Sequence, residues 1–200
     1  MSSVSEWVVR EYFEALGFLV QQPVKYQVAA RRKRAEEEID LLVMNPLGGD
    51  HALPSKILWK SPDLRNVTRA VVSVRGWHTD KFSPKTLELS PEVFRFAEDA
   101  AMRKASGVLG EGPVARILCL PDLTSTESLR KRTLEMLRGN GIDGVLLFRT
   151  MLLELVAHVE TQKSYEKSDL LQILRLMKNY DLIKDPQMDL FASKRRKRKA

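Results

Sequence analysis

The stretch RAVVSVR, residues 69–75, is a short apolar run followed directly by a glycine. Its valines favour an extended strand, and successive side chains along a strand point to opposite faces. Val72 and Val74 are therefore expected on one face, and Ser73 and Arg75 on the other. The sequence thus predicts a strand that places a serine and an arginine on the same face.

A second apolar run, EIDLLVM at residues 38–44, ends at Asn45-Pro46. It is too short for a typical helix, and turn-forming residues follow it, which favours a buried strand. This strand carries an acidic residue, Asp40, within its apolar sequence. An acid on one strand and a cation on the next would lie close together if the two strands pair.

The rest of the chain predicts an α/β protein with a mixed sheet flanked by helices and with extra C-terminal helices, because helices and strands alternate in its second half. The predicted order is a helix from Val4 to Gly17, extended chain at 18–30, strand 38–44, an irregular segment at 46–66, strand 69–75, a helix from Ser90-Pro91 to Gly107, strand 114–120, helix 125–138, strand 143–148, and helices 150–161 and 166–178.

The length of 200 residues suits one well-cored domain better than two. We expect a domain at 1–180, with a core at about 5–148 and appended helices at about 150–178. Residues 181–200 are expected to form a flexible tail.

The basic residues are concentrated in two clusters. The chain has 33 basic and 26 acidic residues, and ten of the basic ones lie in two runs. Without these ten, 23 basic residues remain against 26 acidic ones. Clustered Lys and Arg favour contact with a polyanion, so DNA is the expected partner; a solvated strand end and a solubilising tail are the alternative. The candidate DNA-binding residues are Arg31, Arg32, Lys33, Arg34, Lys194, Arg195, Arg196, Lys197, Arg198 and Lys199.

Several classes of protein are disfavoured by composition. The single cysteine, Cys119, excludes a disulfide framework and favours a reducing, cytoplasmic compartment. One cysteine and three scattered histidines also exclude a zinc finger. No run approaches the ~20 apolar residues that cross a bilayer, so no membrane association is expected.

The succession of a helix, strands, EIDLLV, a loop and VVSVRGWHT, then a helix and a strand, resembles the PD-(D/E)xK nuclease superfamily over about residues 5–148. The resemblance implies a restriction-endonuclease-like sheet and Mg²⁺-dependent hydrolysis of DNA. Asp40 falls on the metal-binding aspartate of the family, and Glu11 falls on the helical acid that many members carry. Asp40 and Glu11 are therefore the implied metal ligands, and the implied catalytic set is Glu11, Asp40, Ser73 and Arg75.

The E-x-K motif of the family aligns with Ser73-Val74-Arg75. Ser73 thus replaces the family's metal-binding carboxylate, and Arg75 replaces its lysine. Serine is a weak, neutral ligand, and an arginine guanidinium suits phosphate clamping better than proton transfer. Three interpretations follow: a protein that binds DNA without cleaving it, an active nuclease with a relocated carboxylate, or an accidental likeness in which Arg75 and Asp40 form an ordinary ion pair. The candidates for a relocated acid are Glu38, Glu92 and Glu98.

The tail sequence QMDLF resembles the short peptide by which bacterial replication and repair proteins bind the DNA polymerase sliding clamp. Two apolar anchors would fill a pocket and a polar handle would fix the register. The resemblance makes the sliding clamp a candidate partner and suggests nucleoid association in a bacterium. The alternative is that the two apolar residues pack back onto the domain. The candidate clamp-binding residues are Gln187, Met188, Asp189, Leu190 and Phe191.

Overall fold

The computed structural model describes residues 4–23, 39–49, 52–78 and 81–183. Contacts divide the chain into two compact units, Met1–Met151 and Leu152–Ala200. Among the described residues, no helix combines the length and the apolar character needed to span a bilayer.

The first unit contains a five-stranded mixed sheet whose strands lie in chain order. The first three strands pair in antiparallel fashion, and the last three pair in parallel fashion. The strands are β1 (Leu19–Gln21), β2 (Leu41–Met44), β3 (Arg69–Val74), β4 (Ala115–Leu120) and β5 (Gly144–Leu147). An α/β architecture with a mixed sheet and flanking helices is therefore confirmed.

Strand β3 lies where the antiparallel and parallel halves meet. Residues Ala70–Val74 of this strand are all buried, because β2 and β4 cover its two edges and other elements pack on its faces. Such two-sided burial explains why the sequence here is a nearly continuous apolar run.

The helices of the described chain are α1 (Val4–Ala15), α2 (Ser61–Leu64), α3 (Pro84–Leu89), a 3₁₀ helix (Pro91–Ala97), α4 (Asp99–Leu109), α5 (Glu127–Gly139), α6 (Phe148–His158) and α7 (Asp169–Asn179). The first helix ends as predicted, since Gly17 adopts a φ of 88° that favours glycine. Helix α6 begins in the first unit and continues into the second.

In its described residues, 152–183, the second unit contains the end of α6 and all of α7. Ser168 caps α7, with its hydroxyl accepting a hydrogen bond from the Leu171 amide at 3.2 Å. The Nζ of Lys178 donates to the Val159 carbonyl at 2.7 Å, and the Nε of Arg175 donates to the Thr161 carbonyl at 3.0 Å. These bonds satisfy carbonyls just beyond the C-terminus of α6.

The single helix predicted from Ser90 to Gly107 is wrong. Residues 84–109 instead form α3, the 3₁₀ helix and α4, since the extended backbone of Glu98 interrupts the helix (φ −69°, ψ 155°). In the 3₁₀ helix Val93 and Phe96 are fully buried, whereas Phe94 and Ala97 are only partly buried.

The irregular segment predicted at 46–66 is wrong in part, because it contains α2 and a short contact with β5. The Trp59 amide donates to the Val145 carbonyl at 2.9 Å, and the Val145 amide donates to the Ile57 carbonyl at 2.7 Å. Ile57 and Trp59 are both buried. A contact this short has no periodicity for a sequence pattern to reveal.

The close packing of Trp59 on β5 predicts a strong effect of a single methyl group. A Cβ at Gly144 would overlap the Trp59 indole ring. Gly144→Ala should therefore reduce the free energy of unfolding by about 1–3 kcal/mol, the usual cost of overpacking.

Gly107→Ala is the matched control, because nothing lies within 4 Å of a Cβ at this helical position. It should leave stability unchanged or raise it by up to ~1 kcal/mol. Urea denaturation of both variants measures the difference, and equal stabilities would contradict the packing described.

Candidate functional site at the ends of β2 and β3

The Asp40 carboxylate lies at the end of the β2–β3 pair. The register pairs Leu41 with Val72, so Asp40, one residue earlier, faces Ser73 across the pair. The Val74 amide donates to Asp40 Oδ2 at 2.7 Å, and the Ser73 hydroxyl donates to the same oxygen at 3.2 Å. Asp40 is only 7% exposed and Ser73 is fully buried. The structure thus brings the aligned acid and serine into direct contact.

Arg75 follows at the end of β3 and is 8% exposed. Its amide donates to the Cys119 carbonyl of β4 at 3.0 Å, which holds the backbone in the parallel ladder. Its Nη2 lies 3.4 Å from the Glu92 carbonyl, in the first turn of the 3₁₀ helix. The guanidinium is therefore directed toward the 3₁₀ helix. In the sequence, Arg75 lies two residues after Ser73, which contacts Asp40.

Helix α1 passes over this end of the sheet. The hydroxyl of Ser5 lies 2.9 Å from Nε2 of His78, and a Cβ at Gly76 would come within 2.5 Å of that hydroxyl. Glu11 is buried on the same helix, along with the apolar Val8. The helical acid is thus buried on an element that packs on β2 and β3.

Cys119 is a neighbour of the site that sequence reasoning treated only as a buried apolar residue. It pairs with Val74 in the β3–β4 register and is fully buried. Burial raises the pKa of the Cys119 thiol far above its usual range, and the negative charge of Asp40 raises it further. The thiol is therefore protonated at neutral pH and a poor nucleophile. Cys119 lies beside the site because β4 pairs with β3, and the sequence gives no direct signal for this strand order.

The donor set does not fit a Mg²⁺ centre in the part of the chain that the structure describes. No three His, Cys, Asp or Glu side chains come together there to hold a metal ion. Mg²⁺ requires several oxygen ligands in near-octahedral geometry. One oxygen of Asp40 already accepts two protein hydrogen bonds, and Ser73 offers a hydroxyl where the family has a carboxylate.

The three candidates for a relocated acid occupy different places. Glu92 is adjacent to Arg75 through its backbone carbonyl, and its side chain is partly buried. Glu98 is exposed before α4. Glu38 lies outside the described residues. Of these acids, Glu92 is thus the one whose backbone the structure places against the predicted site.

The basic runs at 31–34 and 194–199 and the QMDLF segment at 187–191 also lie outside the described residues. Their roles in binding DNA and the sliding clamp stay predictions. The aromatic residue after β3 is described: the Trp77 ring stacks on Phe82 with centroids 5.5 Å apart and is 38% exposed.

Comparison of the chain with protein-family models, with curated proteins and with solved structures finds no match. The likeness to the nuclease superfamily therefore stays a prediction from the quoted motifs.

The hydrogen bonds to Asp40 predict a graded loss of stability. Asp40→Ala removes the acceptor and leaves the Val74 amide buried without its partner, so the free energy of unfolding should fall by about 2–3 kcal/mol. Asp40→Asn keeps an acceptor oxygen and should lose less than half of that. Ser73→Ala removes only the longer bond and should cost about 1 kcal/mol.

Chemical denaturation of the three variants measures these differences. If Asp40→Ala were as stable as the native chain, the carboxylate could not be the acceptor that closes this end of the sheet.

The environment of Cys119 predicts that its thiol reacts only when the surrounding sheet opens. At neutral pH, labelling by a disulfide reagent should be at least about 1,000-fold slower in the native protein than in concentrated guanidinium chloride, as expected for a domain stable by about 5 kcal/mol or more. Absorbance of the released thiolate follows the reaction. Rapid labelling of the native protein would show that β4 is not covered as described.

Proposed function

We propose that this protein binds DNA through a nuclease-like core that does not cleave it, and that it acts in DNA replication or repair. The observation that carries the proposal is the contact of Ser73 with Asp40 at 3.2 Å. At the position where the resembling family has a metal-binding glutamate, this chain has a hydroxyl that donates to the remaining aspartate.

The order of elements supports the nuclease-like core. Helix α1 is followed by the antiparallel strands β1, β2 and β3, with the short α2 before β3. Helix α3, the 3₁₀ helix and α4 then precede the parallel strand β4. This is the helix, strand and helix succession on which the resemblance was drawn. Asp40 and Arg75 also lie at the same end of the β2–β3 pair, which supports the proposed likeness to the family motif.

The loss of cleavage is supported by the chemistry of the contacts. Hydrolysis of a phosphodiester needs a metal-held nucleophile or a group that accepts a proton from water. A guanidinium remains charged at neutral pH and cannot accept that proton, although its fork binds phosphate oxygens well. Arg75 is therefore suited to hold a phosphate, not to activate water.

The association with DNA is supported by the placement of charge in the sequence. Outside its two basic runs the chain carries slightly more acidic than basic residues. Exposed basic residues of α5 face acids instead, with Arg132 at 3.8 Å from Glu88 and Lys131 at 4.0 Å from Glu135. The runs at 31–34 and 194–199 are thus the proposed contacts to phosphate.

The decisive experiment incubates the native protein and Asp40→Asn with single-stranded, duplex, nicked and forked DNA, in the presence of Mg²⁺ or Mn²⁺. We expect salt-dependent binding and no cleavage by either protein. Binding is followed by fluorescence anisotropy and cleavage by gel electrophoresis.

Cleavage by the native protein that Asp40→Asn abolishes would establish an active nuclease instead. Glu92→Gln would then test whether Glu92 is the relocated acid, because its backbone already contacts Arg75. If the protein neither binds nor cleaves any of these DNAs, the nuclease-like assignment is wrong.

The basic runs provide a matched comparison. Replacing residues 31–34 by serine should make the slope of log K against log salt shallower by about 0.9 for each lost phosphate contact with duplex DNA. Replacing the α5 residues Arg130, Lys131 and Arg132 by serine should change the slope little, since two of them have acidic partners. Equal effects of the two replacements would contradict the assignment of the binding surface.

A further inference from the structure

An open cavity of about 430 Å³ lies at the opposite end of β3 from Asp40. It is lined by residues at the beginnings of β3 and β4, by α4, and by Asp143 just before β5. Its volume falls in the range of small-molecule sites, about 300–1,000 Å³. Two arginines, Arg69 and Arg116, contribute to its wall.

Arg69 is fixed in the wall of this cavity by its surroundings. Its Nε donates to the carbonyl of Leu109, the last residue of α4, at 2.9 Å. Gly112 has a φ of 128°, and a Cβ there would come within 2.6 Å of Arg69 Nη1. The glycine therefore provides the space that the guanidinium occupies, and the side chain is held before any ligand arrives.

Arg116 is held in a similar way. Its Nε lies 3.3 Å from the Ala97 carbonyl at the end of the 3₁₀ helix. Its backbone amide donates to Asp143 Oδ2 at 2.7 Å, and its Nη1 lies 3.9 Å from the same oxygen. The single carboxylate among the lining residues is thus already engaged, and the two guanidiniums leave a net charge of +1 in the wall.

The remaining lining residues are of two kinds. Asn66, Thr68 and Ser106 bring hydroxyl and amide groups, whereas Met102 and Pro113 bring apolar surface. A cavity with fixed cations, polar donors and an apolar wall suits a small molecule that carries an anionic head and a compact body. Guanidinium groups bind planar or tetrahedral oxyanions through paired hydrogen bonds.

We propose that this cavity binds a small organic anion whose phosphate or carboxylate group is held by Arg69 and Arg116. The site is separate from the Asp40–Ser73 contact and does not depend on the proposed association with DNA. Since phosphate and carboxylate share this chemistry, the ligand class is a small oxyanion of about mononucleotide size.

The test measures the melting temperature and, by calorimetry, the affinity of the full chain for adenosine monophosphate, inorganic phosphate and succinate at constant ionic strength. Adenosine is the uncharged control. We expect a saturable rise in melting temperature with at least one of the anions and none with adenosine. Adenosine monophosphate and inorganic phosphate acting where succinate does not would identify phosphate as the head group, and the reverse would identify carboxylate.

The test is made specific by comparing variants that should weaken anion binding with one that should strengthen it. Arg69→Lys and Arg116→Lys keep the charge but lose the fork, so each should weaken binding by about tenfold. Asp143→Asn keeps an acceptor for the Arg116 amide and removes the negative charge, so it should strengthen binding by about threefold or more. Arg130→Lys, on the exposed surface of α5, is the matched control and should change nothing.

Ser106→Trp, which places an indole on the exposed side of the cavity without altering an arginine, should abolish binding even if the arginine variants fold poorly. The proposal is overturned if no anion stabilises the native protein, if Ser106→Trp binds normally, or if Asp143→Asn weakens binding as the lysine variants do.

Discussion

The hydrogen bond from the Val74 amide to the Asp40 carboxylate is the interaction on which this end of the sheet depends. Successive amides of a strand point to opposite edges. The Arg75 amide is satisfied by β4 through the Cys119 carbonyl, and the Val74 amide is satisfied by Asp40. The carboxylate thus accepts the hydrogen bond that a backbone carbonyl would otherwise accept where the β2–β3 ladder ends. Its charge also adds to the effect of burial, which raises the pKa of the neighbouring Cys119 thiol.

This structural role competes with a catalytic one. Oδ2 of Asp40 already accepts hydrogen bonds from Ser73 and Val74, so a metal ion could use this oxygen only by sharing it with two protein donors or by displacing the bond to Val74, which lies in the buried sheet. An unsatisfied buried amide costs about 1–3 kcal/mol, so displacement is unfavourable without further ligands. The serine at position 73 reinforces this arrangement, because its hydroxyl is a second protein donor to the same oxygen of the aspartate.

The sequence was sufficient for the strands, because these depend on local apolar runs and on strand periodicity. The contact of Asp40 with Ser73 fits the site that the family resemblance implied, whereas the residues alone had led us to expect Arg75 beside Asp40. The sequence did not predict features that depend on contacts between residues far apart in the chain, or on a helix whose periodicity is interrupted. Helix α3 was missed since its cap pairs Ser83 with Thr86 rather than with an acid. The cavity brings together Arg69 and Arg116, which are 47 positions apart in the sequence and belong to no motif.

The strands lie in the sheet in the same order as in the chain, which has a consequence for biosynthesis. As the chain leaves the ribosome, each strand finds its partner already made, and none has to insert between two paired neighbours. The segment around Trp59 is the exception, because its bonds to Val145 wait until β5 emerges. The contact of that indole with β5 can therefore form only after residue 145 has been made, so the last strand of the sheet is also needed to cover a segment made much earlier.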